Sequence, residues 1–162
     1  MTFANLNGNS FANVMQIDLD YVLINNLDVR ISYKQNNSIS TFGGVQKLLP
    51  LQPQERALIN FAYRNLSDKW HFDVTANYIG RSRVPHNVAD NFSPAFTLLN
   101  SQVTYKWNNA DIYIGLENIT NYTQQNPIID SEEPFGEDFD ASLIWGPVMG
   151  RTIYLGFRYG LK

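Results

Sequence analysis

There is no cysteine among the 162 residues, which excludes a disulfide framework and any thiolate metal site. Nor is there a long apolar run. The longest stretches, such as Tyr21-Val22-Leu23-Ile24, fall far short of the ~20 residues that a membrane-crossing helix needs, so a helical membrane protein is excluded. Charge is sparse, at 17% of residues against a usual share of about 25%. The net charge is -3 with no basic cluster, so nucleic acid is not an expected partner. No nucleophile–base–orienter set and no phosphate-cradling glycine loop is present. The expectation is a protein that is not an enzyme and carries no cofactor.

What the chain does have is alternation. Met15, Ile17, Leu19, Tyr21 and Leu23 are apolar, and Gln16, Asp18 and Asp20 between them are polar. After Asn25-Asn26 the pattern resumes with Leu27, Val29, Ile31 and Tyr33 against Asp28, Arg30, Ser32 and Lys34. It returns in Ala57–Tyr63, in Trp70–Tyr78, in Leu99–Trp107, in Ile112–Glu117 and in Thr152–Tyr159. A period of two predicts half-buried strands, and no stretch carries a helical period. The fold class expected is all-β and antiparallel, with about seven strands and the first residues as the tail of an eighth. A mean hydropathy of -0.27 is compatible with a membrane barrel, whose alternating strands average out on such a scale.

The connections alternate too. Those at Asn25-Asn26, Ser67–Lys69 and Asn108-Asn109 are very short, and those at Gln35–Gln54, Arg81–Pro94 and Ile119–Gly150 are long. An outer-membrane barrel has short periplasmic turns and longer extracellular loops. If the last strand ends at the periplasm, every long connection falls outside and every short one inside.

Period two does not say which face meets lipid, since a soluble barrel or sandwich would turn its apolar face inward. The charges share one face of their strands (Asp18 with Asp20, and Asp28 with Arg30 and Lys34). On a lipid face a Lys or Arg at mid-depth costs roughly 2–4 kcal/mol, so in a membrane barrel these line the lumen, and a water-facing exterior of a soluble fold would serve them as well. Pairing of Asp18 or Asp28 with Arg30 is expected there. The aromatics discriminate better. On the apolar faces Tyr21, Tyr63, Trp70, Tyr105, Trp107 and Tyr159 fall at the periplasmic ends, and Tyr33 and Tyr78 at the outer ends. Two girdles of amphipathic rings are what a barrel places at its two interfaces.

Three stretches resemble the C-terminal barrel region of TonB-dependent outer-membrane receptors: Leu49-Pro50-Leu51-Gln52-Pro53-Gln54-Glu55-Arg56, Gly115-Leu116-Glu117-Asn118-Ile119-Thr120-Asn121-Tyr122, and the run Trp145–Tyr159 with its Gly150-Arg151. The resemblance covers nearly the whole chain. It implies about the last third of a 22-stranded barrel, with the plug and the TonB-contacting segment elsewhere. It implies outer-membrane lipid, the TonB complex, the barrel-assembly machinery and a small ligand as partners. It also implies that Ile153, Leu155, Phe157 and Tyr159 form the assembly signal, although Gly160-Leu161-Lys162 follow the aromatic on which many such proteins end. Residues 1–162 are thus expected to be one C-terminal barrel section in the cell outer membrane. Met1–Asn13 lacks the basic-then-apolar order of a signal peptide, so the export signal is expected upstream.

Members of that family take up ferric siderophores, cobalamin or oligosaccharides, and the first two are favoured for this chain. Phe92, Phe96, Tyr122, Phe135, Phe139 and Trp145 are candidates either to stack on a ligand or to pack loop on loop. Asp130, Glu132, Glu133, Glu137, Asp138 and Asp140 make an acidic loop without calcium-loop spacing, read as solvated. His71, on the expected lumenal face, has no second histidine nearby, and His86 falls in an external loop where it is a candidate to touch a metal chelate or ligand. Glu117 and Asn118 are expected to fix a strand end and loop base by hydrogen bonds. The rival readings are a small self-contained outer-membrane barrel with a structural or adhesive role, and a soluble sandwich or lipocalin-like binder.

Overall fold

A computed structural model describes residues 8–84, 92–125, 127–128, 132–137, 139–141 and 144–160. Among them all regular structure is β: β1 (Phe11–Ile24), β2 (Leu27–Phe42), β3 (Val45–Leu48), β4 (Glu55–Arg64), β5 (Trp70–Ile79), β6 (Phe96–Trp107), β7 (Ala110–Glu117) and β8 (Thr152–Tyr159). They make one antiparallel sheet in the order β1-β2-β4-β5-β6-β7-β8, with β3 paired to β2 off that path. Apart from β3, which leaves β4 to pair directly with β2, each strand lies beside its neighbour in sequence, as is usual for consecutive elements.

All seven alternating segments are strands, and the short breaks are the turns. Asn26, Asp68 and Asn108 sit in the left-handed region at φ 71, 52 and 54, which Asn and Asp tolerate better than most residues. The middle turn is tied by Asn65, whose Oδ1 accepts the backbone N–H groups of Lys69 and Trp70 at 2.9 and 3.0 Å.

The first long connection differs from expectation. Gln35–Gln54 is not simply a loop, because β2 runs on to Phe42 and folds back through Gly43-Gly44 into β3. Both glycines have positive φ, 55 and 80, as a two-residue hairpin turn of the primed kind requires. The eighth strand is therefore this short one, β3. Residues 1–7 lie outside the described residues.

The register places the main apolar rows on one side, with Leu58, Ile79, Phe96 and Leu98 on the other. Ile17 faces Tyr33, Tyr33 faces Ala57, and Ala57 faces Tyr78. Lower down, Leu27 faces Tyr63, Tyr63 faces Phe72, Phe72 faces Val103, Val103 faces Ile114 and Ile114 faces Leu155. Among the described residues no second layer packs on that face. The buried hydrophobics among the described residues are Val84, Phe96 and Ala110 alone, whereas Ile17 is 60% and Leu155 75% exposed. A compact globular protein of 18.5 kDa would expose about 8,200 Å². Here the accessible surface is 11860 Å². Cross-strand hydrogen bonds and side-chain rows hold this sheet, not a core.

Candidate functional site: a two-faced wall and its loop clasp

The apolar face carries its aromatics in rows. Trp70 faces Tyr105 across β5 and β6, with ring centroids 4.7 Å apart. Phe72 joins Trp70 to Tyr63 at 6.3 and 6.1 Å. Trp107 and Tyr159 flank Ala110, and Phe157 stacks beside Tyr159 at 6.5 Å. Tyr21 lies by the first turn, facing Val29. At the other end Tyr33 and Tyr78 share one row across Ala57. Trp70 and Tyr78 bound the apolar face of β5, about 27 Å apart at ~3.4 Å per residue. Ile153, Leu155, Phe157 and Tyr159 stand on that same face of β8, all more than half exposed.

The opposite face is a ladder of polar groups. Arg30 Nε donates to Asp20 Oδ1 at 2.6 Å. Arg64 Nη2 donates to Asp28 Oδ2 at 2.8 Å, and Ser32 and Gln16 both donate to Asp18. The pairing expected for Arg30 is therefore corrected. Asp20 lies directly opposite Arg30 in the register, and Asp28 is drawn off by Arg64 from the strand beyond. Asn60 donates to Asp73 at 2.7 Å and to Thr75 at 2.8 Å, and Tyr154 donates to Gln102 at 2.8 Å.

Two glycines on this face are set by close approach. Gly115 faces Tyr154 and Tyr113 faces Gly156 across β7 and β8. A Cβ on either glycine would lie 2.1 Å from the Cζ atom of the facing ring. Each tyrosine thus lies flat over its partner glycine, covering backbone that a side chain would otherwise cover.

The second and third motifs meet at the base of the last long connection. Asn118 is buried and sits at φ 50. Its Nδ2 donates to the Tyr122 carbonyl at 2.7 Å and the Met149 carbonyl at 3.3 Å, and its Oδ1 accepts from Tyr122 N at 3.0 Å. Arg151 donates through Nε and Nη2 to the Ile119 carbonyl at 3.0 and 2.6 Å, and its backbone N–H goes to Asn121 Oδ1 at 2.8 Å. Higher up, Gln124 Oε1 accepts from Trp145 N and Gly146 N at 2.9 and 3.0 Å. Asn118 thus holds the loop base, as expected. Glu117 closes the strand opposite Thr152.

The loop aromatics divide. Phe96 stacks on Tyr122 at 4.8 Å, nearly parallel, and meets Trp145 at 6.2 Å. That packs Phe96, the first residue of β6 and not a loop residue, against the last long connection, and burial pushes the Tyr122 phenol pKa up. Phe92 lies under the Arg81 guanidinium at 5.1 Å. Phe135 is wholly exposed and Phe139 partly so. The stacking of Phe96 with Tyr122 and Trp145 crosses long sequence separations, which no local period marks.

His71 Nε2 lies 2.8 Å from Asp68 Oδ1, a hydrogen bond within the turn and not a ligand set. No three His, Asp or Glu residues converge on a metal position among the described residues. His86, Asp130 and Asp138 lie outside the described residues.

No protein-family model matches the chain, and no curated protein matches it in sequence. In structure it is similar to the ferric-catecholate import receptor Fiu from K12 E. coli in its closed form, with a TM-score of 0.63 and 15% identity. The fold is that of a stretch of this receptor. The match covers 90% of this chain and 20% of the receptor's, so the chain spans about a fifth of the length of that protein. At this identity the likeness is one of fold.

Proposed function

We propose that residues 1–162 are a C-terminal section of barrel wall in a TonB-energised outer-membrane receptor for a scarce small ligand. The observation that carries this reading is the single apolar face running unburied across seven strands, with short turns at one end and long connections at the other. In water such a face would drive aggregation; in a bilayer it is the lipid contact of a barrel. Its aromatic rows support the same reading. The span from Trp70 to Tyr78, tilted by ~40°, gives a height of about 21 Å, close to the ~25 Å apolar band of such barrels. The polar ladder then lines the lumen.

Among the described residues β1 pairs only with β2, and β8 only with β7. Open edges favour a section of a larger wall, of 22 strands by the family resemblance, over a small self-contained barrel. The plug, TonB and the assembly machinery act on the complete receptor, the last of these through Ile153, Leu155, Phe157 and Tyr159. A ferric siderophore or cobalamin is the ligand class favoured, with an oligosaccharide second. The exposed ring of Phe135 is available to it.

Topology is the direct test. An epitope inserted at Gly136 is expected to be labelled on intact cells, and one at Asn108-Asn109 only after the outer membrane is opened. Equal labelling of both, or recovery of the protein in the soluble fraction, would sink the membrane reading. Ligand uptake that survives collapse of the inner-membrane proton gradient would sink the energised one.

A further inference from the structure

Most cations of the polar face are met by acids. Arg30 faces Asp20, Arg64 reaches Asp28, and Lys106 and Arg158 each face Asp111. Lys34 and Arg56 are the exception. They face one another across β2 and β4, and among the described residues no carboxylate pairs with either. Like charges directly opposite one another destabilise a sheet. In the register the next acid on this face is Asp18, one row away on β1, and it already accepts from Ser32 and Gln16. Glu55, beside Arg56 in sequence, has the other parity and faces Gln35.

A hollow of about 400 Å³ lies at this pair. Lys34, Arg56, Leu58, Asn77, Ile79 and Leu98 line it, and by register all six stand on the polar face. Of the residues around it only Ala57 and Tyr78 have the other parity, so the hollow opens on the polar side. Its floor is unlike the rest of that side. Leu58, Ile79 and Leu98 are half-buried and make an aliphatic strip, with Asn77 between Leu58 and Leu98. The strip runs up to the buried Phe96, which faces Ile79. Below Phe96 it carries no aromatic ring, because Tyr78 belongs to the other face.

An occupant must meet two adjacent cations and an aliphatic strip at once. The planar fork of Arg56 suits a carboxylate, and Lys34 adds a point charge beside it. A neutral ligand would leave the two cations repelling one another. A flat aromatic ligand would find no ring to stack on. The volume is that of a small-molecule site. We propose that this hollow binds a small polycarboxylate with an alkyl chain, its carboxylates on Lys34 and Arg56 and its chain along Leu58, Ile79 and Leu98. The same chemistry is offered by the free acid and by its ferric chelate. The proposal rests on the receptor reading above and narrows its ligand to an amphipathic anion.

The test uses the full-length protein in detergent, with binding measured by isothermal titration. The probe is citrate carrying a decyl chain, metal-free and as its ferric complex. Unsubstituted citrate and a ferric catechol complex are the comparisons. The native protein is expected to bind the alkylated probe roughly tenfold or more tighter than either comparison, since several methylenes are buried. Lys34→Gln with Arg56→Gln should weaken that binding roughly a hundredfold, a factor of ten for each charge-assisted contact, and Leu98→Asn should weaken it as well. Tighter binding of the ferric arm would support the chelate as the source, and of the metal-free arm the free acid. Equal affinity in the native protein and the charge variant would overturn the site. Equal affinity for the catechol complex would overturn the ligand class. The charge variant should melt no lower than the native protein, because it removes a repulsion. A lower melting temperature, with no probe bound by the native protein, would assign the pair to an acidic segment of the receptor itself and overturn the proposal. Failure of the membrane reading shows separately, as a soluble protein or as equal labelling of both epitopes in the topology experiment.

Discussion

Replacing Asn118 with alanine tests whether the two sequence motifs really work as one clasp. The amide side chain makes short contacts with both backbone groups of Tyr122, at 2.7 and 3.0 Å, and a longer one with the Met149 carbonyl. It is buried, so its loss leaves these groups without a partner and with little water. A hydrogen bond contributes about 1 kcal/mol net, and an orphaned buried group costs roughly 1–3 kcal/mol. Alanine at φ 50 adds about 1 kcal/mol of backbone strain. The loss of local stability is then about 2–4 kcal/mol, confined to the loop base, because the strand ladders on either side are untouched. At 1.4 kcal/mol per tenfold, amide exchange at Ile119–Gln124 and Trp145–Arg151 should accelerate roughly 30- to 700-fold in the intact protein, with β4 and β5 unchanged. Asn118→Gly separates the causes, since glycine keeps the backbone conformation and loses only the amide. Unchanged protection in Asn118→Ala would refute the reasoning outright. Acceleration in alanine but not in glycine would assign the effect to backbone strain alone.

Gly156→Ala should force Tyr113 off its partner and destabilise the protein by about 1–3 kcal/mol, as overpacking does; Tyr113→Ala in the same chain should recover most of the loss, read by denaturant midpoint. Phe96→Ala should cost about 3 kcal/mol as a buried ring, whereas Phe135→Ala, at a wholly exposed ring, should leave the melting temperature in place and weaken ligand uptake, and unaltered uptake would remove Phe135 from the ligand site. The hydrogen bond from His71, helped by Lys106, holds the Asp68 carboxyl below its usual value of 3.8. A lowered carboxylate pKa stabilises the turn above 3.8 and loses that contribution as pH falls through the lowered value. His71→Ala should therefore move the acid transition of the neighbouring Trp70 fluorescence to higher pH, and an unmoved transition would show that the pair contributes nothing.

The strands that alternate strongly were legible because one face of each must be apolar and the other must not. Parity alone put Leu19, Ile31, Ile59 and Ala76 on one side, and the register agrees. The upper half of β2 was not legible. There the inward positions are Ser38 and Ser40, small hydroxyl residues that look like a loop. They are buried under the hairpin by bonds such as Ser10 to Ser40 at 2.9 Å. β3 is four residues long, too short to show a period. Arg30 could not be paired correctly because strand stagger decides which carboxylate lies opposite, and alternation leaves shifts by two residues open for turn geometry to settle. Asn118 was legible through its motif, but its partner Met149 was not, since the chain between them carries no periodic signal. The stack of Phe96, Tyr122 and Trp145 was hidden for the same reason.

The clasp at Asn118, Asn121 and Arg151, with Gln124 above it, also makes the last connection a cassette. Residues 125–144 begin and end at points already held together, so their length is decoupled from the pairing of β7 with β8. For a loop closed at its base, doubling the number of residues costs only about 0.6 kcal/mol. Foreign segments grafted there, beyond a stem that does not change and beside the exposed ring of Phe135, would meet little thermodynamic resistance. The same economy lets sequence drift at the tip alter what the loop touches without disturbing the wall that carries it.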